Sequence, residues 1–519
     1  MSNDWWSSIS GLGQRHSQET DVPEQDDTIT SALEAESVIV VSNRQPYRHR
    51  FESPDDGDRS VAVDRPTGGL TAGLDPVMQR LNGTWIAWGD GDADRTVADS
   101  DGKLRVPPEE PTYTLQRVWL SEEDVAKYYY GYSNQALWPL CHVSLENTQF
   151  DTQQYRRYRA VNETFAEAIL AHTTPESVIW FQDYHLACAP AMVREQCGDE
   201  QFLLHFWHIP WPSVPVFRIC PQARALLKGL LGNDLIGFHV PEYCRNFCNC
   251  VSELLAESSV DVEAGEITYN GRTTAVRAYP MGVDAERIKR RSLDVAESTW
   301  RSFKADRGID PDVRLVLGVD RLDYTKGIPE RLRSLERLWE QRPRWRGRFT
   351  YVQKGSESRS QIEAYQQLQQ TVREISTRIN ERFGTDEWQP VVLIDAALSR
   401  KQLSGLYRYS DVALVTPLRD GMNLVAQEYV AAQVDDDGVL ILSELAGSHE
   451  QLGDAVLSIN PYDIEGQADA IERALTMPEA ERRHRCRRLR RSVHENDLTA
   501  WLEDVFSTVT ERQSDETGP

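Results

Sequence analysis

Short apolar runs of four or five residues recur along this sequence, and longer amphipathic stretches separate them. The runs are rich in Val, Ile, Leu and Phe, as expected for strands that are buried on both faces of a sheet. Strands of this kind that alternate with helices form parallel sheets covered by helices, so we predict an α/β fold. The predicted strands are Val38–Val41, Val178–Phe181, Phe202–His205, Leu235–Phe238, Leu315–Val319, Phe349–Val352, Val391–Ile394, Val412–Val415 and Val439–Leu442. The clearest predicted helices between them are Ile328–Gln341 and Ser358–Phe383.

The length of 519 residues exceeds what one hydrophobic core usually organises, which predicts two large domains. A boundary is expected near Gly282–Asp312, where one series of strands ends and the next begins. Residues 1–36 are rich in Ser, Asp, Glu and Gln without an apolar period, and residues 512–519 are similar. Both stretches are therefore predicted to be disordered tails.

The formal net charge is −24, from 57 Lys and Arg residues against 81 Asp and Glu residues. Such a surface repels nucleic acid and anionic membranes, so neither is an expected partner. No run approaches the roughly 20 apolar residues that cross a bilayer, and no basic segment followed by an apolar core marks a secretory signal. We therefore expect a cytoplasmic protein in which any anion site is a local cluster of basic side chains.

Two patterns hint at a metal ion, and neither is complete. Cys244, Cys248 and Cys250 lie close in sequence, but their spacing is not C-x-x-C and no second pair accompanies them. The acidic run Asp90–Asp94 resembles the start of a calcium loop, but Arg95 stands where such loops have glycine. We therefore expect free thiols, a solvated acidic loop and no bound metal.

Polar residues follow several of the predicted strands directly. One strand leads into Ser42-Asn43-Arg44, another into Gln182-Asp183-Tyr184-His185, and a third shortly into His208. In open α/β sheets, ligands bind at the carboxyl ends of the strands. Asp183 and His208 are therefore candidates to orient a ligand hydroxyl, or else to satisfy buried backbone groups.

Arg321 and Lys326 lie five residues apart in the loop after the predicted strand Leu315–Val319. Two cations at a strand end, in a chain of negative net charge, indicate a site for a diphosphate or another dianion. Their spacing alone is also compatible with a surface ion pair to Asp320 or Asp323.

A glycine-containing turn, Asp420-Gly421-Met422-Asn423-Leu424, precedes a predicted helix that carries Glu428 one turn further on. Gly421 permits close approach of a ligand, and the first amides of the helix are free to bind phosphate. Glu428 could accept hydrogen bonds from ribose hydroxyls. The alternative is an ordinary helix cap. Thr67-Gly68-Gly69-Leu70 is a second such segment, although a Gly-Gly pair is more often only a tight turn.

Aromatic residues cluster in two segments: Tyr128–Asn134, shortly before Trp138, and Thr84–Gly89, which contains Trp85 and Trp88. Such rings offer stacking surfaces and hydroxyls to a sugar, but aromatic residues more often belong to a core. Neither a G-x-x-x-x-G-K-[ST] loop nor a G-x-G-x-x-G motif is present, which disfavours nucleotide hydrolysis and nicotinamide chemistry.

Together these segments resemble the trehalose-6-phosphate synthase family of retaining glycosyltransferases. The resemblance runs in order from about Val38 to about Val505, and its most specific parts are Arg321–Gly327 and Leu418–Glu428. The other matching segments are Ser42–Arg44, Gly68–Leu70, Trp85–Gly89, Tyr129–Pro139, Asp183–Leu186, His208–Pro212 and Tyr429–Gln433. The resemblance implies two facing Rossmann-like domains of the GT-B type, with the active site in the cleft between them. On this basis the domains are 37–285 and 286–495, and 496–511 is a helix that crosses back to the first domain.

The resemblance also implies roles for the matching side chains. Arg321 and Lys326 would bind the diphosphate of a nucleotide-glucose donor, and Glu428 its ribose. The remaining donor-side positions are Gly69, Asn423 and Leu424. The residues expected to act in catalysis are Asp183, His208, Arg321, Lys326 and Asp420. The residues expected to hold the acceptor and its phosphate are Arg44, Trp88, Tyr130, Trp138 and Arg359.

The implied reaction moves glucose from a nucleotide-glucose donor to glucose 6-phosphate and forms trehalose 6-phosphate. UDP-glucose is the expected donor. The segment Asp395–Leu398 departs from the family's usual residues near the base, which leaves GDP-glucose and ADP-glucose open. No cofactor is expected, because the two cations would neutralise the leaving diphosphate. The alternatives are glycerol 3-phosphate as acceptor, giving glucosylglycerol phosphate, and a catalytically silent sugar-phosphate sensor. A separate trehalose-6-phosphate phosphatase is an expected partner, and self-association into a homo-oligomer is left open.

Overall fold

Two sheets organise the chain, one in each half. The structure, a computed structural model, describes residues 37–52, 59–65 and 69–516, so the tail predicted over 1–36 lies outside the described residues. The strands of the first half are β1 Ser37–Ser42, β2 Arg48–Glu52, β3 Ser60–Asp64, β4 Thr84–Trp88, β5 Lys103–Val106, β6 Tyr113–Val118, β7 Ser177–Gln182, β8 Phe202–Phe206, β9 Leu235–Phe238, β10 Ser259–Asp261, β11 Glu266–Tyr269 and β12 Arg272–Ala278. The strands of the second half are β13 Arg314–Arg321, β14 Phe349–Ser356, β15 Val391–Ile394, β16 Val412–Val415, β17 Val439–Ser443 and β18 Leu457–Ile459.

Most strands of the two sheets pair in parallel. The first sheet has ten strands in the order β10-β11-β12-β9-β8-β7-β1-β4-β6-β5, and the second has six in the order β15-β14-β13-β16-β17-β18. All pairs in the second sheet are parallel, whereas β5, β10 and β11 pair antiparallel at the edges of the first. The predicted α/β fold with two facing Rossmann-like domains is confirmed.

Helices cover the sheets and connect the strands. In the first half the α-helices are Gly69–Leu81, Asp94–Val97, Glu122–Asp124, Trp138–Cys141, Thr152–Leu170, Ala189–Cys197, Val214–Phe217, Ala223–Leu230 and Pro241–Leu254. In the second half they are Ala285–Leu293, Glu297–Ala305, Ile328–Gln341, Glu363–Phe383, Arg400–Arg408, Leu424–Ala432, His449–Leu452, Ile464–Thr476, Glu479–Glu495 and Leu498–Glu516. Short 3₁₀ turns occupy Leu145–Asn147, Tyr184–Leu186, Tyr324–Lys326 and Pro343–Trp345. Within the described ranges, none of these helices combines the length and the apolar character that a bilayer span requires.

The strand register aligns the carboxyl ends where polar residues were predicted to gather. In the first sheet Val41 pairs with Phe181, so Asn43 and Asp183 follow neighbouring strands at the same edge. In the second sheet Arg321 pairs with Ser356, the last residue of β14. Because parallel strands end at one edge of a sheet, the loops after them are brought together there.

Residues Val125–Leu137 form a π-helix of 13 residues rather than the α-helix that a helical stretch would normally adopt. Its hydrogen bonds join residues five apart, as in the bond from the Trp138 N–H to the carbonyl of Ser133. π-Helices are rare and occur mostly as single turns at functional sites. This winding changes which aromatic side chains of the segment share a face.

The chain passes between the domains at two adjacent places. Met281 packs in the core of the first domain and Val283 in that of the second, so the first crossing lies at Gly282. The return crossing lies beside it, where the Leu498 N–H donates to the carbonyl of Val283 at 3.1 Å. A Cβ on Gly282 would lie 2.3 Å from the carbonyl oxygen of Asn496, so only glycine fits here.

The last helix returns to the first domain and completes its core. Trp501 lies against Trp180 of β7 with 5.6 Å between ring centroids, and Phe506 contacts the same ring edge-on. This helix extends to Glu516, which is further than the boundary predicted at 511. The part of the predicted second tail that lies outside the described residues is 517–519.

The prediction of a solvated acidic loop at Asp90–Asp94 is wrong for Asp94. Its carboxylate is fully buried and forms an ion pair with the equally buried Arg117 at 3.1 Å. Arg117 Nε also donates to Gln45 Oε1 at 3.0 Å, and Gln45 Nε2 donates to Asp94. The network therefore anchors the loop that follows β1 and carries Arg44.

Candidate active site

The loops at the carboxyl ends of the two sheets face one cleft and contact each other across it. Tyr243 of the first domain donates its hydroxyl hydrogen to the backbone carbonyl of Asp420 at 3.1 Å. Gly421 lies so close to the first domain that a Cβ there would be 2.1 Å from the carbonyl oxygen of His208. The close approach explains why this turn contains glycine, and it brings the turn Asp420–Leu424 next to His208.

Lys326, Asp420 and Asn423, three of the predicted site residues, form one polar cluster. The Lys326 ammonium makes an ion pair with Asp420 Oδ2, and Asn423 Nδ2 donates to the same oxygen at 3.0 Å. Burial would raise the pKa of Asp420, but the neighbouring Lys326 outweighs it and holds this pKa below its usual value. The partner of Lys326 is therefore a distant segment of the chain and not Asp320 or Asp323, which were the alternatives.

The helix Leu424–Ala432 begins at this cluster. Its cap residue, Asn423, has a φ of 78° and a ψ of 80°, an uncommon conformation for a residue other than glycine. Asn423 Oδ1 is buried and has no hydrogen-bond partner among the described residues. The helix thus starts at the cluster that contains Lys326, and a helix N-terminus beside a cation suits a phosphate group.

Glu428 lies one turn further along the same helix. Tyr407 donates its hydroxyl hydrogen to Glu428 Oε2 at 2.9 Å, and burial raises the pKa of Glu428. Within the described part of the chain, Oε1 receives no hydrogen bond. This carboxylate is therefore held by one oxygen, and its other oxygen is available as an acceptor.

Three arginines surround the hydroxyl of Tyr129. Arg44 Nη2 donates to it at 3.4 Å, and the charges of Arg359 and Arg321 also act on it. Burial would raise the pKa of Tyr129, but Arg44 and Arg359 outweigh burial and hold it below its usual value. Three cations from two domains therefore converge on this hydroxyl, an arrangement that suits an anionic ligand.

The tyrosine that contacts these arginines is the neighbour of the predicted one. Tyr130 was expected to contact the acceptor phosphate, but the hydroxyl that Arg44 reaches belongs to Tyr129. Burial raises the pKa of Tyr130, and no arginine counteracts it. The π-helical winding of this segment determines which ring faces the arginines, and the sequence contains no signal for that winding. Trp88 lies beside Tyr129, with 5.6 Å between ring centroids.

Arg359 of the second domain lies over the Trp138 ring of the first, with its guanidinium carbon 4.0 Å from the ring centroid. Arg321 lies over the same ring at 5.3 Å. Arg359 Nε and Trp138 Nε1 are buried donors without a partner among the described residues. Buried donors are almost always paired, so these two fit a bound oxyanion. The predicted acceptor residues Arg44, Trp138 and Arg359 are thus brought together.

Asp183 has a φ of 69° and a ψ of 175°, a backbone conformation that is strained for any residue except glycine. Its Oδ1 accepts the backbone N–H of His208 at 3.3 Å, and burial raises its pKa to about 6. His208 Nε2 is 2.8 Å from Gln182 Oε1. Burial and the adjacent His239 lower the pKa of His208 well below its usual value, so its imidazole is neutral. Strain and shifted pKa values together are typical of functional sites.

One more predicted residue, Gly69, and three residues that were not predicted belong to the cleft. Gly69 is the first residue of the helix Gly69–Leu81, and the preceding Thr67 and Gly68 lie outside the described residues. His142 is buried against Trp138 with 4.1 Å between ring centroids, and burial lowers its pKa to about 4. The other residues missed as site members are Tyr184 and Asp323. Single residues of these types carry no spacing signal, and the position of Asp323 in the sequence indicates only a surface ion pair.

Two Rossmann-like domains whose strand ends face one cleft are typical of a glycosyltransferase of the GT-B type. The family model of Glycosyltransferase family 20 matches residues 36–511. The chain belongs to this family.

Among curated relatives, the alpha,alpha-trehalose-phosphate synthase [UDP-forming] of Schizosaccharomyces pombe is 35% identical over 483 residues, which cover 92% of this chain and 91% of the relative. The bifunctional trehalose-6-phosphate synthase/phosphatase of Thermoproteus tenax is 36% identical over 491 residues, which cover 92% of this chain but only 64% of the relative. This chain therefore spans less than two thirds of that bifunctional relative.

Solved structures resemble this chain over nearly its whole length. An E. coli trehalose-6-phosphate protein bound with UDP-2-fluoro glucose has a TM-score of 0.80 and 33% identity, and covers 91% of this chain and 99% of its own. A UDP-forming alpha,alpha-trehalose-phosphate synthase of Burkholderia xenovorans in complex with glucose-6-phosphate has a TM-score of 0.79 and 33% identity, and covers 92% of this chain and 100% of its own.

Proposed function

We propose that this chain transfers glucose from UDP-glucose to glucose 6-phosphate with retention, releasing UDP and trehalose 6-phosphate. The Schizosaccharomyces pombe relative and the Burkholderia xenovorans structure are UDP-forming synthases, and the similar solved structures hold a UDP-glucose analogue and glucose 6-phosphate. The observation that carries the proposal is the pair of adjacent anion sites in the cleft. A diphosphate donor and a phosphomonoester acceptor are the two ligands that such a pair can bind at once.

The donor side is assigned to the cluster of the second domain. Arg321 and Lys326 would bind the diphosphate together with the amides that follow Asn423, and Glu428 would accept hydrogen bonds from the ribose. The ion pair of Lys326 with Asp420 keeps the ammonium in place before the substrate arrives. Preorganised cations act strongly on the charge that develops on the leaving diphosphate.

The acceptor side is assigned to Arg44, Tyr129, Trp138 and Arg359. Bidentate contacts from guanidinium groups suit a phosphomonoester, and the indole N–H adds a neutral donor. Trp88 and Asp183 lie at the same cleft and would contact the acceptor sugar. Because Arg359 comes from the second domain and Trp138 from the first, both domains must be in contact for this side to be complete.

In the transfer step, the bond between the glucose anomeric carbon and the β-phosphate oxygen breaks, and a bond to the anomeric hydroxyl oxygen of the acceptor forms on the same face. The proton of that hydroxyl passes to the leaving phosphate oxygen. Arg321 and Lys326 stabilise the negative charge of this leaving group, and the neutral His208 with Asp420 orients the transferred sugar. Each of these residues therefore contributes by position and charge rather than by forming a covalent intermediate.

Incubation of the purified chain with UDP-, GDP- or ADP-glucose, each with glucose 6-phosphate or glycerol 3-phosphate, tests the proposal. We expect trehalose 6-phosphate and UDP from the first donor with glucose 6-phosphate. Preferential consumption of glycerol 3-phosphate would instead support a glucosylglycerol phosphate synthase. No transfer from any pair would support a silent sensor. A separate phosphatase stays a prediction, and so does the oligomeric state.

A further inference from the structure

Asp323 is a fully buried carboxylate between the end of β13 and the short 3₁₀ turn Tyr324–Lys326. Its Oδ1 accepts the backbone N–H of Thr325 at 3.1 Å and the Thr325 hydroxyl at 3.0 Å. These bonds determine the shape of the turn that presents Lys326 to the cleft.

The second oxygen of Asp323 contacts both anion sites. Arg359 Nη1, on the acceptor side, donates to Oδ2 at 3.4 Å, and Arg321 Nη2, on the donor side, lies 4.0 Å from it. Tyr365 also donates to Oδ2, at 3.2 Å. One carboxylate oxygen therefore lies between two guanidinium groups that would otherwise repel each other.

Asp323 is ionised in this arrangement. Burial would raise its pKa, but the charges of Arg359, Arg321 and Lys326 outweigh burial and hold the pKa below its usual value. A buried carboxylate that loses one of its cations is left with uncompensated charge, which is unfavourable. It is therefore drawn more closely to the cations that remain.

We propose that Asp323 is a positioning residue that couples the donor and acceptor sites, because Arg321 and Arg359 share its carboxylate. The inference rests on the proposed function for the identity of the two ligands. When Arg359 is engaged or lost, the balance of contacts at Asp323 changes, and so does the position of Arg321. The affinity for the nucleotide thus depends on a residue that belongs to the acceptor side.

Asp320 is a nearby buried carboxylate with a structural role, and it differs from Asp323 in its contacts. It is almost as buried as Asp323 and lies three residues earlier, on β13, but its ion pair is with the buried Arg331 at 2.7 Å. Arg331 in turn donates to Thr416 and to the Tyr351 hydroxyl, beneath the strand ends. Asp320 therefore stabilises the sheet, whereas Asp323 joins two groups that face ligands.

Isothermal titration with UDP alone, in the absence of any sugar phosphate, tests the coupling. Arg359→Gln should weaken UDP binding about fivefold or more. Arg44→Gln is the matched control, since it also removes one acceptor-side charge, but none of the described contacts joins Arg44 to Asp323. It should change UDP affinity less than twofold. Equal effects of the two variants would overturn the inference.

The double variant Asp323→Asn/Arg359→Gln separates coupling through Asp323 from a general loss of charge. In the Asp323→Asn background, Arg359→Gln should no longer change UDP affinity, because the shared carboxylate charge is gone. An undiminished effect of Arg359→Gln there would contradict the role of Asp323. If Asp323→Asn does not fold, as a thermal melt would show, the comparison of the two arginine variants still decides. Failure of the unaltered chain to bind UDP would count against the proposed function instead.

Discussion

The hydroxyl of Tyr184 in the first domain accepts a hydrogen bond from Arg359 Nη2 in the second at 3.1 Å. The same hydroxyl donates to Asn134 Oδ1 at 2.8 Å, so it is held on its own domain while it orients a side chain of the other. Arg359 itself has a φ of 50°, which is uncommon for a residue with a long side chain. Arg359 is therefore held in place by a residue of the other domain.

Tyr184→Phe should raise the KM for glucose 6-phosphate about tenfold, because one hydrogen bond to a charged group is lost. Turnover at saturating acceptor should change little, since Asp323 and Tyr365 still hold Arg359. Tyr407→Phe is the control, since it frees Glu428 and should raise the KM for UDP-glucose instead. Steady-state kinetics with each substrate varied in turn distinguish the two results. A change in donor KM alone for Tyr184→Phe would contradict this assignment.

Arg321→Ala should lower kcat by about 10²–10³, because it removes a cation that stabilises the leaving diphosphate in the transition state. Arg44→Ala should act differently and mainly raise the KM for glucose 6-phosphate, by about 10- to 100-fold. Kinetics of both variants, with circular dichroism to verify folding, provide the measurement. Unchanged turnover in Arg321→Ala would remove that residue from the donor site.

Asp183 should make stability depend on pH. Its pKa is raised from 3.8 to about 6 by burial, so the folded protein retains a proton that the unfolded chain loses between about pH 4 and 6. The free energy of unfolding therefore falls as the pH rises through this window, and this group contributes about 2–3 kcal/mol to the fall. Asp183→Asn should remove this loss, so the variant should be more stable than the parent at pH 7 and similar to it at pH 4. Urea unfolding at several pH values measures the difference.

Asp323→Asn should show the opposite dependence of stability on pH in the same urea unfolding experiment. The pKa of Asp323 is held below its usual value by Arg359, Arg321 and Lys326, after the opposing effect of burial. Its ionised form therefore stabilises the fold at neutral pH, and this contribution is lost as the pH falls through the pKa values of the group. The destabilisation of Asp323→Asn should shrink at acid pH. If the difference in the free energy of unfolding between parent and variant does not depend on pH, the charge of Asp323 does not contribute to stability.

Val143→Gly should stabilise the protein by about 1 kcal/mol. Val143 has a φ of 59° and follows His142, the C-cap of the helix Trp138–Cys141, in a position that favours glycine. The bonds from the Val143 N–H to Leu140 and from the Ser144 N–H to Pro139 define this helix end. Val143→Ala retains the Cβ and is the control, which should not be stabilised. Denaturant unfolding of the two variants gives the comparison.

The strands and the donor segment could be predicted because their signals are local. The strand Val391–Ile394 and the helix Ile328–Gln341 have the predicted bounds, since apolar runs and amphipathic periods reflect burial directly. Arg321, Lys326 and Asp420 were predicted from their spacing and from the family that they resemble, and the structure brings Lys326 and Asp420 into contact.

The remaining features depend on contacts between distant segments. Whether Tyr129 or Tyr130 reaches the arginines depends on a π-helical winding that has no sequence signature. Asp94 looks like a solvated acidic residue until Arg117, on another strand, folds against it. Asp323 acquires its two arginines only when a strand end and a later loop meet. Tertiary packing determines each of these, and a local pattern cannot contain it.

The final helix has a consequence for how the protein is made. Val505, Phe506 and Trp501 fill the core of the first domain, yet they are translated after the entire second domain. A nascent chain emerges at about 5–20 residues per second, so the first domain waits many seconds with the face around Trp180 uncovered. During that interval the ribosome-bound chain exposes apolar surface of the kind that chaperones bind. A permuted chain that begins with this helix, joined ahead of Ser37, would remove the delay.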